Sequence, residues 1–401
     1  MHPGAGSAKP APALDPGALA GMSVVYFGND WFAENRTSSH HISRQLARRL
    51  PLLYIDAPGM RAPTASPRDL KKISRVLGKF LAAPQQIGPR MWHITMPQLP
   101  WRKLPFVDFL NRALGRWLVA RAARRLGFKR RLSWFAVPHP GALAGRVGDD
   151  FIVYYCIDDY AAFAQMDAKR IQKLDDDLAR RADIVFVSST SLLEGKRGLA
   201  RQLEYSPHGV DFELFSKAQD PATELAPAAR NLKHPVIGYF GSIAHHTNLE
   251  MIEEMARARP AWTFMLIGMA SVDTSSLAAL PNIVLPGPQR YETLASWAKV
   301  FDAAIIPYRP WFALHSSSLK VREYLAAGKP VVTVSTPEIE RYKDVITIAA
   351  NTAEFLVALD RALETDSPEA RLARLDAVKD STWEGCATRA FNCVSKAVTN
   401  R

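Results

Sequence analysis

The chain has 401 residues, of which 48% are hydrophobic and 22% charged, and its formal net charge is +12. This length exceeds what one hydrophobic core supports and predicts two domains, while the composition excludes both a wholly disordered chain and a membrane-spanning bundle. Three widely spaced cysteines, Cys156, Cys386 and Cys393, argue against a disulfide framework and are typical of a reducing cytoplasm.

The first 22 residues are rich in Ala, Pro and Gly and have neither the basic start nor the apolar core of a signal peptide. We expect a disordered tail there, 1–22. From residue 23 onward, short apolar runs alternate with helical segments, which indicates parallel strands covered by helices. The first domain, 23–216, has six predicted strands, at 23–28, 52–56, 132–137, 151–158, 184–189 and 203–207.

A strongly basic segment spans residues 61–131, with seventeen Lys or Arg against two acidic residues. Within it, apolar side chains recur at helical spacing and predict an amphipathic basic helix, at positions 106, 109, 110, 113, 114, 117 and 118. Such a surface attracts anionic lipid, and no nucleic-acid-binding module accompanies it. We therefore expect peripheral contact with the inner face of the cytoplasmic membrane and no nucleic-acid partner. The alternative is an apolar face buried in the domain core.

A polar stretch containing Ala and Pro, 217–234, predicts a linker between two domains. The C-terminal helices, 366–401, contain Trp383 and are expected to pack back on the first domain. Two parallel sheets leave a cleft at the carboxyl ends of their strands, where doubly wound sheets bind ligands. The second domain, 235–365, has five predicted strands, at 235–242, 262–268, 282–287, 302–308 and 330–334.

The most specific motif is HSSSLKVREYLAAGKPVV, residues 315–332. Hydroxyl side chains, Ser317 and Ser318 among them, lead into a predicted helix that ends at a glycine before a buried strand. Free backbone N–H groups at the helix start and the ammonium group of Lys320 favour a diphosphate, and Glu323 suits ribose hydroxyl groups. The alternative is a capped helix with a surface Lys–Glu pair.

This motif resembles the donor motif of the group 1 glycosyltransferases, and so do YSPHGVDFELF (205–215) and VIGYFGSI (236–243). The subgroup it resembles builds bacterial surface polysaccharides, as do enzymes of the teichuronic acid and xanthan glucuronosyltransferase type. The resemblance implies the α/β fold called GT-B, in which two Rossmann-like doubly wound parallel-sheet domains face a cleft. It also implies a nucleoside diphosphate sugar as donor, UDP favoured over GDP, a lipid-linked saccharide as acceptor, and no metal or other cofactor.

In that setting, Gly241 and Ser242 would let the backbone approach the donor phosphates, and a larger residue at 241 should obstruct them. Tyr291 would lie near the nucleotide base, or else pack on the core at a helix start. His245 and His246 would contact the sugar or the phosphates, or else lie in a solvated loop.

Retaining members of the wider class carry an acidic residue eight positions before the motif glutamate, where this chain has His315. We therefore expect an inverting mechanism, in which a base in the first domain deprotonates the acceptor hydroxyl. Asp158 and Asp159 follow an apolar strand and are the candidate catalytic residues, with helix capping as their alternative role. His40 and His41 are expected to bind the acceptor, and either is a competing base.

The acidic run LDDDL, 174–178, is not expected to bind a metal, because Asp175 and Asp177 would lie on different faces of a solvated helix. The sequence thus predicts a cytoplasmic, membrane-peripheral glycosyltransferase of cell-surface polysaccharide synthesis. Two alternatives stay open. One is a sugar-nucleotide epimerase of the same fold, which would need no acceptor, and the other is a non-catalytic scaffold that binds nucleotide sugars.

Overall fold

The computed structural model describes residues 16–33, 36–57, 83–96, 99, 105–162, 167–313 and 317–401. Most of the predicted tail and residues 61–82 of the basic segment lie outside these ranges. The last part of that tail belongs to the fold, however. A short helical turn, Gly17–Leu19, packs against the C-terminal helix, and Leu19 is fully buried because its apolar side chain fills the first core.

The first domain is built on an eight-stranded sheet with the strand order β3-β4-β2-β1-β5-β6-β7-β8. All neighbours are parallel except β3 and β4. The six predicted strands are present, whereas the sequence does not predict β3 and β4, because β3 is short and polar and lacks alternating apolar residues. The strands are β1 Met22–Gly28, β2 Leu52–Asp56, β3 Gln85–Gly88, β4 Met91–Thr95, β5 Arg130–Phe135, β6 Phe151–Cys156, β7 Ile184–Val187 and β8 Leu203–Tyr205.

A row of aromatic rings crosses one face of this sheet. Tyr26 lies in register with Tyr54 on one side and Trp134 on the other, and the ring centroids are 5.3 and 6.4 Å apart. Such cross-strand pairs stabilise a sheet through direct side-chain contact. The helices of this domain are α1 Ser38–Ala47, α2 Pro105–Arg125, α3 Ala168–Arg181 and α4 Thr190–Lys196.

Helix α2 forms inside the basic segment, as predicted, and of the apolar positions that recur at helical spacing it buries only Leu118. Its contact with the domain core is made by small and aliphatic residues, Gly115, Leu118, Val119, Ala122 and Ala123. Phe106, Phe109 and Trp117 of the predicted face are 70%, 61% and 44% exposed. The helix therefore buries an apolar face in the domain core, as the alternative expects, while the aromatic rings on which the membrane interpretation depends stay exposed. No helix in the described part of the chain is long and apolar enough to cross a membrane.

The second domain has a six-stranded parallel sheet with the order β11-β10-β9-β12-β13-β14. Its strands are β9 Val236–Phe240, β10 Thr263–Ile267, β11 Ile283–Gly287, β12 Ala303–Ile306, β13 Val331–Thr333 and β14 Thr347–Ile348. Only β14, two residues long, is missing from the predicted set. The helices are α5 Phe212–Ser216, α6 Leu249–Ala258, α7 Ser275–Ala278, α8 Leu294–Ala298, α9 Pro310–Ala313, α10 Leu319–Ala326, α11 Thr352–Thr365 and α12 Pro368–Asp376.

The segment predicted as a linker, 217–234, packs against the second domain. Lys299 donates hydrogen bonds to three of its backbone carbonyls, those of Asp220, Pro221 and Thr223. The second core also reaches back beyond this segment, because its buried members include Val210, Phe215, Ala218, Ala226 and Ala229. The structural boundary therefore falls near residue 209, earlier than the polar composition suggests.

Of the C-terminal segment predicted to pack on the first domain, only the last helix, α13 Trp383–Thr399, does so, and it lies beside α1. Helix α12 instead contacts α10 of the second domain, where Arg374 donates a hydrogen bond to the Gly328 carbonyl at 3.0 Å. In each sheet the chain leaves the first strand in one direction and later returns to its other side. The order reverses between β1 and β5 in the first sheet, and between β9 and β12 in the second. Ligands of open α/β sheets bind at such points, at the carboxyl ends of the strands.

Candidate active site

A cavity of about 260 Å³ opens at the carboxyl end of the second sheet, where β9 and β12 are neighbours. Its walls come from the turns after β9 and β10, the segment after β12 and the start of α10. The glycine turn and the motif at 315–332 therefore meet in one place although they are distant in the chain. All seven predicted donor-binding residues line it: Gly241, Ser242, Tyr291, Ser317, Ser318, Lys320 and Glu323.

Gly241 brings the backbone after β9 directly against Lys320. Its φ of +131° is a conformation that side chains disfavour, and a Cβ added there would collide with Cε of Lys320. A side chain at 241 would therefore displace Lys320 as well as narrow the cavity. This gives a second physical reason for glycine at this turn, beyond the predicted approach to phosphates.

The ammonium group of Lys320 is held among phenol rings. Its Nζ donates a hydrogen bond to the hydroxyl of Tyr308 at 3.0 Å and lies 5.5 Å from the ring centroids of Tyr239 and Tyr308. Burial disfavours the charge of Lys320, but Tyr239 and Tyr308 outweigh that effect and raise its pKa above the usual value. In the described ranges no carboxylate forms an ion pair with Lys320. A retained positive charge therefore lines the cavity.

Glu323 lies one helical turn after Lys320 and is 7% exposed. Burial raises its pKa to about 7, an effect that Lys320 opposes and the charge of Asp211 reinforces. The hydroxyl of Tyr291 approaches Glu323 and lowers that pKa, yet the two groups do not meet hydrogen-bond geometry. A buried carboxyl group and an unpartnered phenol thus share one wall, where ligand hydroxyl groups would satisfy both.

The hydroxyls before α10 are not used to cap that helix. Ser318 is its N-cap residue, but its Oγ lies 3.3 Å from the hydroxyl of Tyr308 and accepts no capping bond. The Oγ of Ser317 is buried and has no hydrogen-bond partner among the described residues. Both hydroxyls therefore remain beside a helix N-terminus, which favours an anion through its N–H groups and dipole. His315 lies outside the described residues.

Two further cavity residues are Arg36, which the sequence does not predict, and His246, which it predicts together with His245. Arg36 comes from the first domain, and its Nη2 lies 3.8 Å from Oε1 of Glu292 across the cleft. His246, though not His245, lines the cavity and stacks on Phe312 at 4.4 Å. Burial and the charge of Lys320 lower the pKa of His246 to about 4, so the ring is neutral near pH 7. Nothing in the sequence distinguishes Arg36 from a surface arginine, because its place depends on how two domains meet.

Asp158 and Asp159 follow β6 at the carboxyl edge of the first sheet, and both are partly exposed. Burial, and next the charge of Asp159, raises the pKa of Asp158 to about 7. A carboxyl group with such a pKa suits proton transfer near neutral pH. No side-chain hydrogen bond from a described residue engages the carboxylate of Asp158, so its alternative role as a helix cap is not observed.

The rings of His40 and His41 both make contacts within the protein. The Nδ1 of His40 accepts the backbone N–H of Thr37 at 3.0 Å, and its Nε2 lies 3.0 Å from the carbonyl oxygen of Asp30. His41 stacks on Trp383 at 4.7 Å with its Nε2 buried. Burial lowers the pKa of His40 to about 4 and that of His41 to about 3. Both ring nitrogens of His40 are occupied by hydrogen bonds, which disfavours its predicted roles in acceptor binding and catalysis. His41 Nε2 has no hydrogen-bond partner among the described residues, so the predicted roles of His41 stay predictions.

The acidic run in α3 differs in one respect from the expected solvated helix. Asp177 is paired with Lys173 at 2.9 Å on the surface, whereas Asp175 is buried and forms an ion pair with Lys196 and a hydrogen bond with Tyr154. The prediction that this run lies on a solvated surface is therefore wrong for Asp175, because helix α4 places Lys196 next to its carboxylate. Within the described ranges, no group of three or more His, Cys, Asp or Glu side chains is arranged to hold a metal ion.

Comparison with known proteins identifies the second domain. Residues 234–365 match the family model described as glycosyl transferases group 1. Over 226 residues the chain is 28% identical to the putative teichuronic acid biosynthesis glycosyltransferase TuaH of Bacillus subtilis. That match covers 52% of this chain and 56% of the relative, so it spans little more than half of either protein.

Solved structures share the whole fold at low sequence identity. Sucrose-phosphate synthase from Thermosynechococcus elongatus is 14% identical with a TM-score of 0.69, covering 95% of this chain and 100% of that one. The alpha,alpha-trehalose 6-phosphate synthase of Burkholderia multivorans is 12% identical, with a TM-score of 0.66 and coverage of 94% and 99%. Anabaena HepE in complex with UDP is 13% identical, with a TM-score of 0.62 and coverage of 95% and 100%. These similarities, with the two parallel sheets, confirm the predicted GT-B fold.

Proposed function

We propose that the protein transfers a sugar from a nucleoside diphosphate sugar to a hydroxyl group of a saccharide, since residues 234–365 match the group 1 glycosyl transferase family model. The observation that carries this is the cavity inside the second domain, where Lys320, Glu323 and the Gly241 turn meet. A buried cation beside a helix N-terminus binds a diphosphate and stabilises the charge that develops on it as it leaves.

UDP is the favoured nucleotide of the donor. One solved structure of the same fold is described in complex with UDP, and an alpha,alpha-trehalose-phosphate synthase from Burkholderia vietnamiensis is described as UDP-forming. In this chain Glu323 would accept hydrogen bonds from ribose hydroxyls, and Tyr291 would adjoin the nucleoside. The Tyr291 hydroxyl is buried without a hydrogen-bond partner among the described residues, and the buried Glu323 carboxyl lies beside it.

We propose an inverting reaction with Asp158 as the base. Its carboxylate would take the proton of the acceptor hydroxyl while that oxygen attacks the anomeric carbon from the face opposite the diphosphate. The bond between the anomeric carbon and the diphosphate oxygen breaks, and Lys320 stabilises the departing nucleoside diphosphate. The raised pKa of Asp158 supports this role, since the group can then hold the proton it receives.

The acceptor is proposed to be a lipid-linked saccharide at the inner membrane surface. Asn111 of α2 makes two hydrogen bonds with the backbone of Leu99, at 2.7 and 3.2 Å, just beyond the carboxyl end of β4. The exposed rings of Phe106 and Phe109 therefore lie at the ligand-binding edge of the first sheet. Aromatic rings beside arginines suit the interface of an anionic bilayer, and the relative is named for synthesis of a surface polymer.

The proposal is tested with purified protein, a panel of labelled UDP sugars and GDP-mannose, and a bacterial membrane-lipid extract. We expect UDP release together with transfer of label to the lipid phase for one UDP sugar. Conversion of the sugar without any extract would indicate an epimerase instead. Nucleotide binding without turnover of any pair would indicate a non-catalytic scaffold, and either result would overturn the proposed transfer.

A further inference from the structure

The loop that follows β1, residues 29–33, presents an exposed ring that the proposed mechanism does not use. Phe32 is 61% exposed, whereas its neighbour Trp31 is 7% exposed. The loop lies where the strand order of the first sheet reverses, at the carboxyl edge where ligands of such sheets bind. An exposed aromatic ring at this position calls for a partner.

Hydrogen bonds fix the backbone of this loop at each residue from Asn29 to Phe32. Because the loop is already ordered, binding to it costs little further conformational entropy. The exposed ring is therefore presented by a preorganised backbone. The bonds run from Tyr54 Oη to the Asn29 carbonyl (2.8 Å), between His40 Nε2 and the Asp30 carbonyl (3.0 Å), from the Trp31 N–H to Asp56 Oδ1 (2.8 Å), from Arg36 Nη1 to the Trp31 carbonyl (3.2 Å), and from the Phe32 N–H to Asp30 Oδ1 (3.0 Å).

A buried histidine supports the ring of Phe32 from below. The ring of His93 meets it edge to face, with centroids 5.0 Å apart and an interplanar angle of 78°. His93 is fixed in turn by Asp56, whose Oδ2 lies 2.7 Å from its Nε2 and also accepts a hydrogen bond from Thr95 at 3.3 Å. The carboxylate of Asp56 thus fixes both the backbone of the loop and the ring of His93, which contacts the ring of Phe32.

The side chain of Arg36 connects this loop to the donor cavity. Arg36 lines that cavity and donates to the Trp31 carbonyl, which links the two places directly. A group that receives a sugar must lie next to the donor and against the first domain. The loop that carries Phe32 is therefore joined through Arg36 to the wall of the donor cavity.

We propose that Phe32 is a stacking platform for a pyranose ring of the acceptor, with the carboxylate of Asp30 beside it for sugar hydroxyls. This inference rests on the proposed function and names the first-domain part of the site. Aromatic rings attract the C–H face of a sugar, while the neighbouring carboxylate accepts hydrogen bonds. The exposed side chain of Asp30 disfavours anionic lipid at this spot, so a saccharide fits better than a bilayer.

The test uses methyl pyranosides of glucose, galactose, mannose and N-acetylglucosamine, with the protein saturated by UDP and no lipid present. Saturation-transfer NMR should show contact with ring protons of at least one glycoside. Phe32→Ala should weaken that binding about three- to tenfold, and Phe32→Trp should restore it. Leu372→Ala, which removes a side chain 62% exposed in the second domain, is the matched control and should change nothing.

Three results would overturn the platform: no pyranoside contact in the UDP-saturated wild type, unchanged affinity in Phe32→Ala, or a loss confined to binding of phosphatidylglycerol vesicles. The last would assign the ring to a lipid surface. Failure of UDP to bind the wild type would instead contradict the proposed function itself. Calorimetric titration with UDP, expected to be identical in all three variants, therefore separates the two failures.

Discussion

The surroundings of Lys320 and Asp158 change the pKa values of both side chains. The positive charge of Lys320 is kept because two phenol groups surround it, and no carboxylate of the described chain pairs with it. The carboxyl group of Asp158 is partly removed from water, and this burial, together with the charge of Asp159, raises its pKa. In the proposed mechanism, the cation for the leaving diphosphate and the base for the acceptor would thus lie on opposite domains.

Asp158→Asn should lower kcat by roughly 100-fold or more and leave the affinity for UDP unchanged. Because only the deprotonated carboxylate accepts a proton, wild-type kcat should rise between pH 6 and pH 8, through the pKa of about 7. Steady-state kinetics across this range measures both effects.

Asp159→Asn is the control for that measurement. It removes a charge that raises the pKa of Asp158, so the rise in kcat should move to lower pH while most of the turnover is retained. Equal losses in the two variants, or an unchanged pH profile in Asp158→Asn, would show that Asp158 is not the base.

Among the elements of the fold, helix α2 uses one set of residues to pack on the first domain and leaves another set exposed to solvent. Its small and aliphatic residues allow close contact with the first domain, and its large aromatic residues stay outside. Arg121 lies over the ring of Trp117 at 5.4 Å, which places charge and aromatic surface together. Spacing alone predicts the helix, but not which of two apolar stripes is buried.

The double variant Phe106→Ala/Phe109→Ala should bind phosphatidylglycerol vesicles several-fold more weakly, because it removes the exposed apolar end of α2. Co-sedimentation measures this, and wild-type binding should also weaken with added salt, which screens the arginines. The double variant Val357→Ala/Leu372→Ala, with side chains 68% and 62% exposed in the second domain, is the control. Equal binding by wild type and the α2 variant would remove the membrane role.

At the scale of the whole molecule, side chains of each domain hold the other. Glu338 of the second domain accepts the backbone N–H of Thr190 at 3.0 Å and the hydroxyl of Tyr205 at 2.7 Å, both in the first domain. Arg36 and Glu292 face each other farther along the cleft. Polar contacts therefore join the domains at more than one point along the cleft, together with the ring contact of His41 and Tyr291. Contacts of this kind can open to admit a substrate.

Glu338→Ala should lower the melting temperature and increase the radius of gyration of the ligand-free protein. It removes the interdomain hydrogen bonds that Glu338 accepts from Thr190 and Tyr205, and a hydrogen bond contributes roughly 1 kcal/mol. Small-angle scattering and calorimetry measure the change, and Glu364→Ala, at an exposed position in α11, is the control. A radius equal to that of wild type would mean that other contacts hold the domains together.

Local patterns predict most of this fold and the donor side of the site. The alternation of apolar runs and helical segments indicates both sheets, and the motif with Lys320 and Glu323 lies in one continuous stretch next to a helix start. Arg36 and Phe32 do not follow from the sequence, because their positions depend on contacts between distant segments. The same reason applies to His40. Its position near a helix start suggests a role in acceptor binding, but the structure shows that both ring nitrogens make hydrogen bonds within the protein.

We expect the cavity to bind a nucleoside diphosphate through Lys320. Isothermal titration of UDP into the wild type and into Lys320→Ala tests it directly, with Lys343→Ala, a lysine exposed on the same domain, as the control. We expect one UDP per chain in the wild type and the control, and affinity lower by about 10- to 100-fold in Lys320→Ala, since a hydrogen bond to a charged group is lost. Equal affinity in Lys320→Ala, or no binding of UDP by the wild type, would contradict the account.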